Sequence, residues 1–212
     1  VYVSWEKYMS CALQGILEWG KTLPVVYITD GDLSKRKVPY ESLILQRSVI
    51  NYFNFRTIVE IGSSRAPLCH HLHDVGDTNT CCNDGHSTHH WYETDCVVHS
   101  VDIELNEMYL PQRDDLHFYH RDGIEFLKSF DGSIDFLYLD AWDAVAHIPY
   151  AEKHLEAFEA AESKLSNINM VGIDDTDCYE GGKGRLLMPI LLDLGYKKIV
   201  EGRQSVFLKI PT

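Results

Sequence analysis

Thr57-Ile-Val-Glu-Ile-Gly-Ser-Ser-Arg-Ala-Pro67 decides how the rest of the chain is read. Thr57–Ile61 is a short run rich in β-branched residues, cut off by Gly62, and it predicts a buried strand. The small residues after it predict a tight turn into a helix at the strand's carboxyl end. In open α/β sheets ligands settle there, because backbone N–H groups point into the crevice. Glu60 is an acid inside this apolar run, so its carboxylate must meet donors, either hydroxyls or a cation.

Working outward, comparable runs recur at Val97–Asp102, Leu116–His120, Ile134–Asp140, Met170–Asp174, Lys197–Val200 and Val206–Ile210. Helical patterns lie between most of them, at Gly123–Phe130, Ala151–Leu165 and Arg185–Leu194, with Pro189 requiring a late start or a kink in the last. This alternation predicts a doubly wound, mostly parallel sheet covered on both faces. Only Glu201-Gly202-Arg203-Gln204 separates the last two runs, which is hairpin length and makes that pair antiparallel. Residues 1–55 read as a helical cap, with a first helix carrying Trp5, Leu13, Ile16 and Leu17 and a second over about Ser42–Phe53. The cap either packs on the sheet alone or also walls a pocket, with Tyr27, Tyr40 or Arg47 reaching in.

The whole chain, 212 residues at 45% hydrophobic, suits a single domain with one substantial core. A formal charge of −13 argues against nucleic acid or anionic membrane as partner, and no apolar run is long enough for a membrane helix. The six cysteines are irregularly spaced and the first residues carry no signal-like pattern, so a reduced, cytoplasmic setting is the expectation. Between Cys69 and His99 lie four cysteines and seven histidines, and the polar stretch of about 77–95 reads as an inserted loop. Zinc suits such ligands, but no familiar zinc spacing is present, so a surface insertion with incidental histidines stands beside that reading.

The acids carry the functional signal. Each of the first five strands ends in or beside one: Glu60, Asp102, Asp122, Asp140, and Asp174 with Asp175. In a parallel sheet these ends share one edge, and such crowding requires a ligand rich in donors or positive charge. Asp102 closes the second strand, where nucleotide-binding folds receive ribose hydroxyls. Asp122 is placed to accept from an adenine amino group. Asp140, Asp174 and Asp175 end neighbouring strands and offer hard oxygen ligands suited to Mg²⁺, Ca²⁺ or Mn²⁺.

With these motifs in order, residues 56–212 resemble the class I S-adenosylmethionine-dependent methyltransferases, most of all their metal-dependent O-methyltransferases of catechol and sugar type. The resemblance implies a seven-stranded Rossmann-like sheet whose last strand is antiparallel. It implies a cofactor loop at Glu60, Gly62, Ser63 and Ser64, a ribose acid at Asp102 with Ile103 beside it, and adenine contacts at Asp122 and Gly123. It also implies that Asp140 serves both cofactor and metal, together with Asp174 and Asp175. The loop is poorer in glycine than the family's, and where the catechol group has a base lysine this chain has Asp143. Asp143, His147 and Lys183 are therefore the candidate bases. The implied reaction is methylation of a small hydroxylated acceptor, and a homodimer is a family-level expectation. Two rivals remain: a non-catalytic protein of this fold that binds a nucleoside or a protein partner, and a nicotinamide oxidoreductase. The second would need Gly-x-Gly-x-x-Gly where this chain has Gly62-Ser63-Ser64-Arg65-Ala66-Pro67.

Overall fold

In a computed structural model the β-branched run is a strand, β1 (Thr57–Ile61), in the interior of a seven-stranded sheet. The structure describes residues 5–22, 40–62, 86–104, 113–144, 147–161, 168–178 and 180–209. The other strands are β2 (Val97–Asp102), β3 (Leu116–His120), β4 (Phe136–Leu139), β5 (Met170–Ile173), β6 (Lys197–Val200) and β7 (Ser205–Leu208). Their spatial order is β3-β2-β1-β4-β5-β7-β6. The first five are parallel, and β7 runs antiparallel between β5 and β6. A dinucleotide-binding sheet has the order 3-2-1-4-5-6 without a reversed strand. Here the short hairpin after β6 folds β7 back into that last gap.

Alternation along β1 assigns its side chains to two layers. Val59 and Ile61 enter a core with helices α4 (Gly123–Ser129), α5 (Tyr150–Ala160) and α6 (Leu187–Asp193). Ile58 enters the opposite core, formed with α2 (Tyr40–Phe53) and the Trp91 side chain of α3 (His86–Tyr92). Leu13, Ile16 and Leu17 of α1 (Trp5–Thr22) pack against that second core. The N-terminal helices thus cap one face of the sheet. Pro189 falls in the first turn of α6, where a missing N–H costs little, so the helix starts late, at Leu187.

One expectation changes. The polar stretch of 77–95 is not simply a loop, since His86–Tyr92 is α3, buried through Ser87, Thr88 and Trp91. The zinc reading falls largely on residues 63–85, outside the described residues, as do Ser63, Ser64 and Tyr27. Among the described residues, Cys96 and Cys178 are buried free thiols, and no helix is long and apolar enough to cross a membrane.

Candidate functional site

The carboxyl edge of the sheet is tied together strand by strand. Arg121 N donates to Asp102 O at 3.0 Å, Gly62 N to Val101 O at 2.8 Å, Asp140 N to Ile61 O at 2.8 Å and Asp174 N to Leu139 O at 3.1 Å. Strand order reverses between β1 and β4, so the crevice expected of such sheets opens beside Gly62 and Asp140. Gly62 has φ 89°, and a Cβ there would come within 2.5 Å of the Asp140 carbonyl carbon. Only glycine meets both demands.

Glu60 does not face this crevice, which corrects its assignment to the cofactor. It shares the parity of Ile58 and points under α3, with 0% exposure. Its Oε1 accepts from Ser87 Oγ (2.6 Å) and Trp91 Nε1 (3.1 Å), its Oε2 from Thr88 Oγ1 (2.5 Å) and Ser100 Oγ (2.8 Å). Burial still raises its carboxyl above the usual value, against the pull of all four hydrogen bonds. The requirement for hydroxyl donors is met, and it is met by the protein itself.

Asp102 ends β2, 9% exposed, its Oδ1 accepting from Glu104 N at 2.9 Å; the adjoining Ile103 is 64% exposed. Asp122 is exposed and caps α4, its Oδ1 accepting from Ile124 N (2.9 Å) and Glu125 N (3.0 Å). That oxygen is committed to the helix, which narrows the adenine role assigned to it. Gly123 allows close packing of α4 on β1, since a Cβ would meet Ile61 at 2.2 Å.

Asp140, Asp174 and Asp175 converge as the acid pattern requires, each offering an oxygen within 4.8 Å of the others. Two cations share the cluster. The Lys183 ammonium donates to Asp140 Oδ1 (2.8 Å) and Asp140 O (3.0 Å) and lies 3.2 Å from Asp175 Oδ2. Arg203 Nη2 donates to Asp174 Oδ2 at 3.3 Å, and its Nε is 3.7 Å from Asp175 Oδ1. Burial opposes the charge on Lys183, but Asp140, Asp175 and Asp174 push its pKa above the ordinary lysine value. Arg203 is held charged in the same way. Burial drives the Asp140 carboxyl well above the carboxylate range, with Asp174 and Asp175 adding to the rise and Lys183 opposing it. Lys183 is thus a poor proton acceptor and is 1% exposed, so its candidacy as the base is withdrawn.

The donor set is chemically right for a hard dication, but a metal would have to share oxygens already held by an ammonium and a guanidinium.

The remaining candidates lie on the chain leaving β4. Asp143 is half-buried and His147 is exposed. Between them and β4, Trp142 adopts φ 52°, a conformation rare for a bulky side chain. Asp175 (φ 51°) and Glu180 (φ 58°) are held in the same region, so backbone strain gathers along this edge. Arg47 is ion-paired with Glu93 just after α3, which accounts for it without a pocket.

Two residues at the site went unread in the sequence. Arg203 is brought there by the register of β5 on β7, in which Ile173 pairs with Ser205 and the β6–β7 hairpin overhangs Asp174 and Asp175; the sequence shows only that this hairpin is short. His154 is fully buried on α5, its Nδ1 donates to Tyr150 O at 2.6 Å, and its ring stands edge-on to Trp142 at 5.3 Å. Burial, with the nearby Lys183 charge adding to it, lowers its pKa to about 3, so it stays neutral.

Among solved structures, the SAH-bound methyltransferase PaMTH1 of Podospora anserina aligns with 100% of this chain and 99% of its own, at a TM-score of 0.47 and 12% identity. No protein-family model matches the chain, and no curated protein matches it significantly.

Proposed function

We propose that this chain is an S-adenosylmethionine-dependent methyltransferase acting on an oxygen of a small hydroxylated acceptor. The observation that carries the reading is the seven-stranded order with β7 reversed between β5 and β6, joined to a carboxyl edge that gathers Asp102, Asp140, Asp174 and Asp175. A nicotinamide oxidoreductase accounts for neither the reversed strand nor the missing glycines.

The donor chemistry fits such a cofactor. Asp102, ending β2, would accept ribose hydroxyls, and the exposed Ile103 offers an apolar surface beside it. From β2 to β5 is three strand intervals, about 14 Å, so Asp102 and the Asp174 cluster would meet different parts of one extended ligand.

When bound, S-adenosylmethionine supplies a methyl group already activated by its sulfonium. The protein's task is then chiefly to hold an acceptor oxygen on the axis of displacement. Asp143, half-buried three residues past Asp140, is the group best placed along the chain to take the hydroxyl proton, with His147 as its alternative.

Calorimetry with S-adenosylhomocysteine tests the reading. Micromolar binding by the unaltered chain is expected, weakened about tenfold or more in Asp102→Asn, which loses a charged acceptor. Absence of binding would favour the non-catalytic reading, as would binding without methyl transfer to any diol or catechol acceptor.

A further inference from the structure

We propose that Lys183 and Arg203 stand where the resemblance would put a divalent metal, so that the Asp140–Asp174–Asp175 cluster is complete without one. The proposal deepens the methyl-transfer reading by making the transfer metal-independent, and it rests on that reading only for the identity of the ligand.

The backbone is built to deliver the ammonium. Gly181 and Gly182 have φ 104° and 49°, and a Cβ on Gly182 would lie 1.9 Å from Asp175 O. The turn therefore presses against the end of β5 as no other residue would permit. Lys183 N donates to Asp175 O at 3.3 Å and fixes the turn there, and a single 3-10 turn at Gly182–Gly184 follows. The side chain, buried along its length, ends with three oxygens about it: Asp140 O, Asp140 Oδ1 and Asp175 Oδ2. An ammonium has three N–H donors, so this coordination is saturated.

Arg203 arrives from the other side on the β6–β7 hairpin. Its position is set by Thr176 N, which donates to Arg203 O at 2.8 Å, and by Thr176 Oγ1, which donates to Gly202 O at 2.8 Å. Both oxygens of Asp175 and one each of Asp140 and Asp174 thus lie within 3.7 Å of a cationic nitrogen. A dication needs those oxygens at about 2.0–2.6 Å. It would then crowd a second and third positive charge that the buried side chains cannot withdraw into water.

The test is a Mn²⁺ titration of the chelator-treated chain followed by electron paramagnetic resonance, alongside thermal midpoints with and without millimolar Mg²⁺. The unaltered chain is expected to bind no stoichiometric Mn²⁺ and to keep its midpoint. Lys183→Met, which keeps the length and removes the charge, is expected to bind Mn²⁺ about tenfold more tightly or better. One equivalent of Mn²⁺ on the unaltered chain overturns the proposal, and so does a folded Lys183→Met that binds no better. Should that variant fail to fold, the titration of the unaltered chain decides alone. Neither readout needs a cofactor, so a chain that refuses both Mn²⁺ and S-adenosylhomocysteine would sink the methyl-transfer reading and leave this one standing.

Discussion

Glu60 on β1 and Asp140 just past the neighbouring β4 are both acids at the heart of the molecule, and the chain neutralises them by opposite means. Glu60 is held by three hydroxyls and an indole N–H, all neutral donors. Asp140 and its two companions are held by an ammonium and a guanidinium. Neutral donors join parts of a fold without introducing further charge: here they bind α3 to β1 and β2. Buried ion pairs are seldom better for stability than apolar packing of the same volume. A cluster of three acids and two cations at the carboxyl ends of β4 and β5 is therefore better explained by what it presents to a ligand. One site closes the fold, and the other equips it.

The comparison breaks most sharply at Glu60. Glu60→Ala would leave two buried hydroxyl donors on α3, one on β2 and the Trp91 N–H without their acceptor, each costing about 1–3 kcal/mol less whatever relaxation recovers. A loss of about 4–5 kcal/mol in urea denaturation is expected, with α3 the first element to lose amide protection in hydrogen exchange. Lys183→Met should cost somewhat less, about 3–4 kcal/mol, because Arg203 remains to face the acids. If Lys183→Met proved harmless while cofactor binding fell, the division between closing and equipping would be sharper still. If Glu60→Ala proved harmless, the division would collapse.

A smaller effect distinguishes the two sites by pH. Because burial raises the Glu60 carboxyl, the folded chain keeps that proton at pH values where the unfolded chain has lost it. The stability that goes with the proton is complete below the ordinary glutamate value and is lost as pH rises through the raised one. Glu60→Gln cannot titrate, so the stability of the unaltered chain relative to this variant should decline across that window. The variant itself should sit about 1–2 kcal/mol lower at its worst, since an amide NH₂ meets donors where a carboxylate accepted. Denaturation midpoints of both proteins across acid to neutral pH give the slope, and a flat difference would show that Glu60 does not change protonation there.

How far these sites could be read in the sequence follows from what made them. The bounds of β1, β2, β3 and β6 are visible as apolar, β-branched runs cut off by turn residues, and the antiparallel β7 follows from a four-residue connection. The meeting of Asp140, Asp174 and Asp175 follows from acids ending adjacent parallel strands. Helix α3 is hidden because His86-Ser-Thr-His-His-Trp-Tyr92 has no apolar period, and its stability comes from the contact with Glu60. The direction of Glu60 was not available, since Ile58 on its own face and Val59 and Ile61 on the other are alike apolar. Nor was the role of Lys183, because a glycine-rich run signals a turn without saying which acid the turn will reach.

The smallest effect concerns Asp122, which touches neither buried acid group and so serves as a control for both. Its Oδ1 accepts from two backbone N–H groups of α4 and satisfies donors that no helical partner can reach. Asp122→Ala should therefore lower stability by about 1 kcal/mol, the usual cost of losing a cap, while Asp122→Asn should recover most of it. If Asp122 also meets the adenine, both variants will weaken S-adenosylhomocysteine binding, because an amide repeats the cap but not the charge. If it is a cap alone, Asp122→Asn will bind like the unaltered chain. Calorimetry and denaturation on the same pair of variants separate the two roles, and an affinity unchanged in both would leave Asp102 as the acid that identifies the nucleoside.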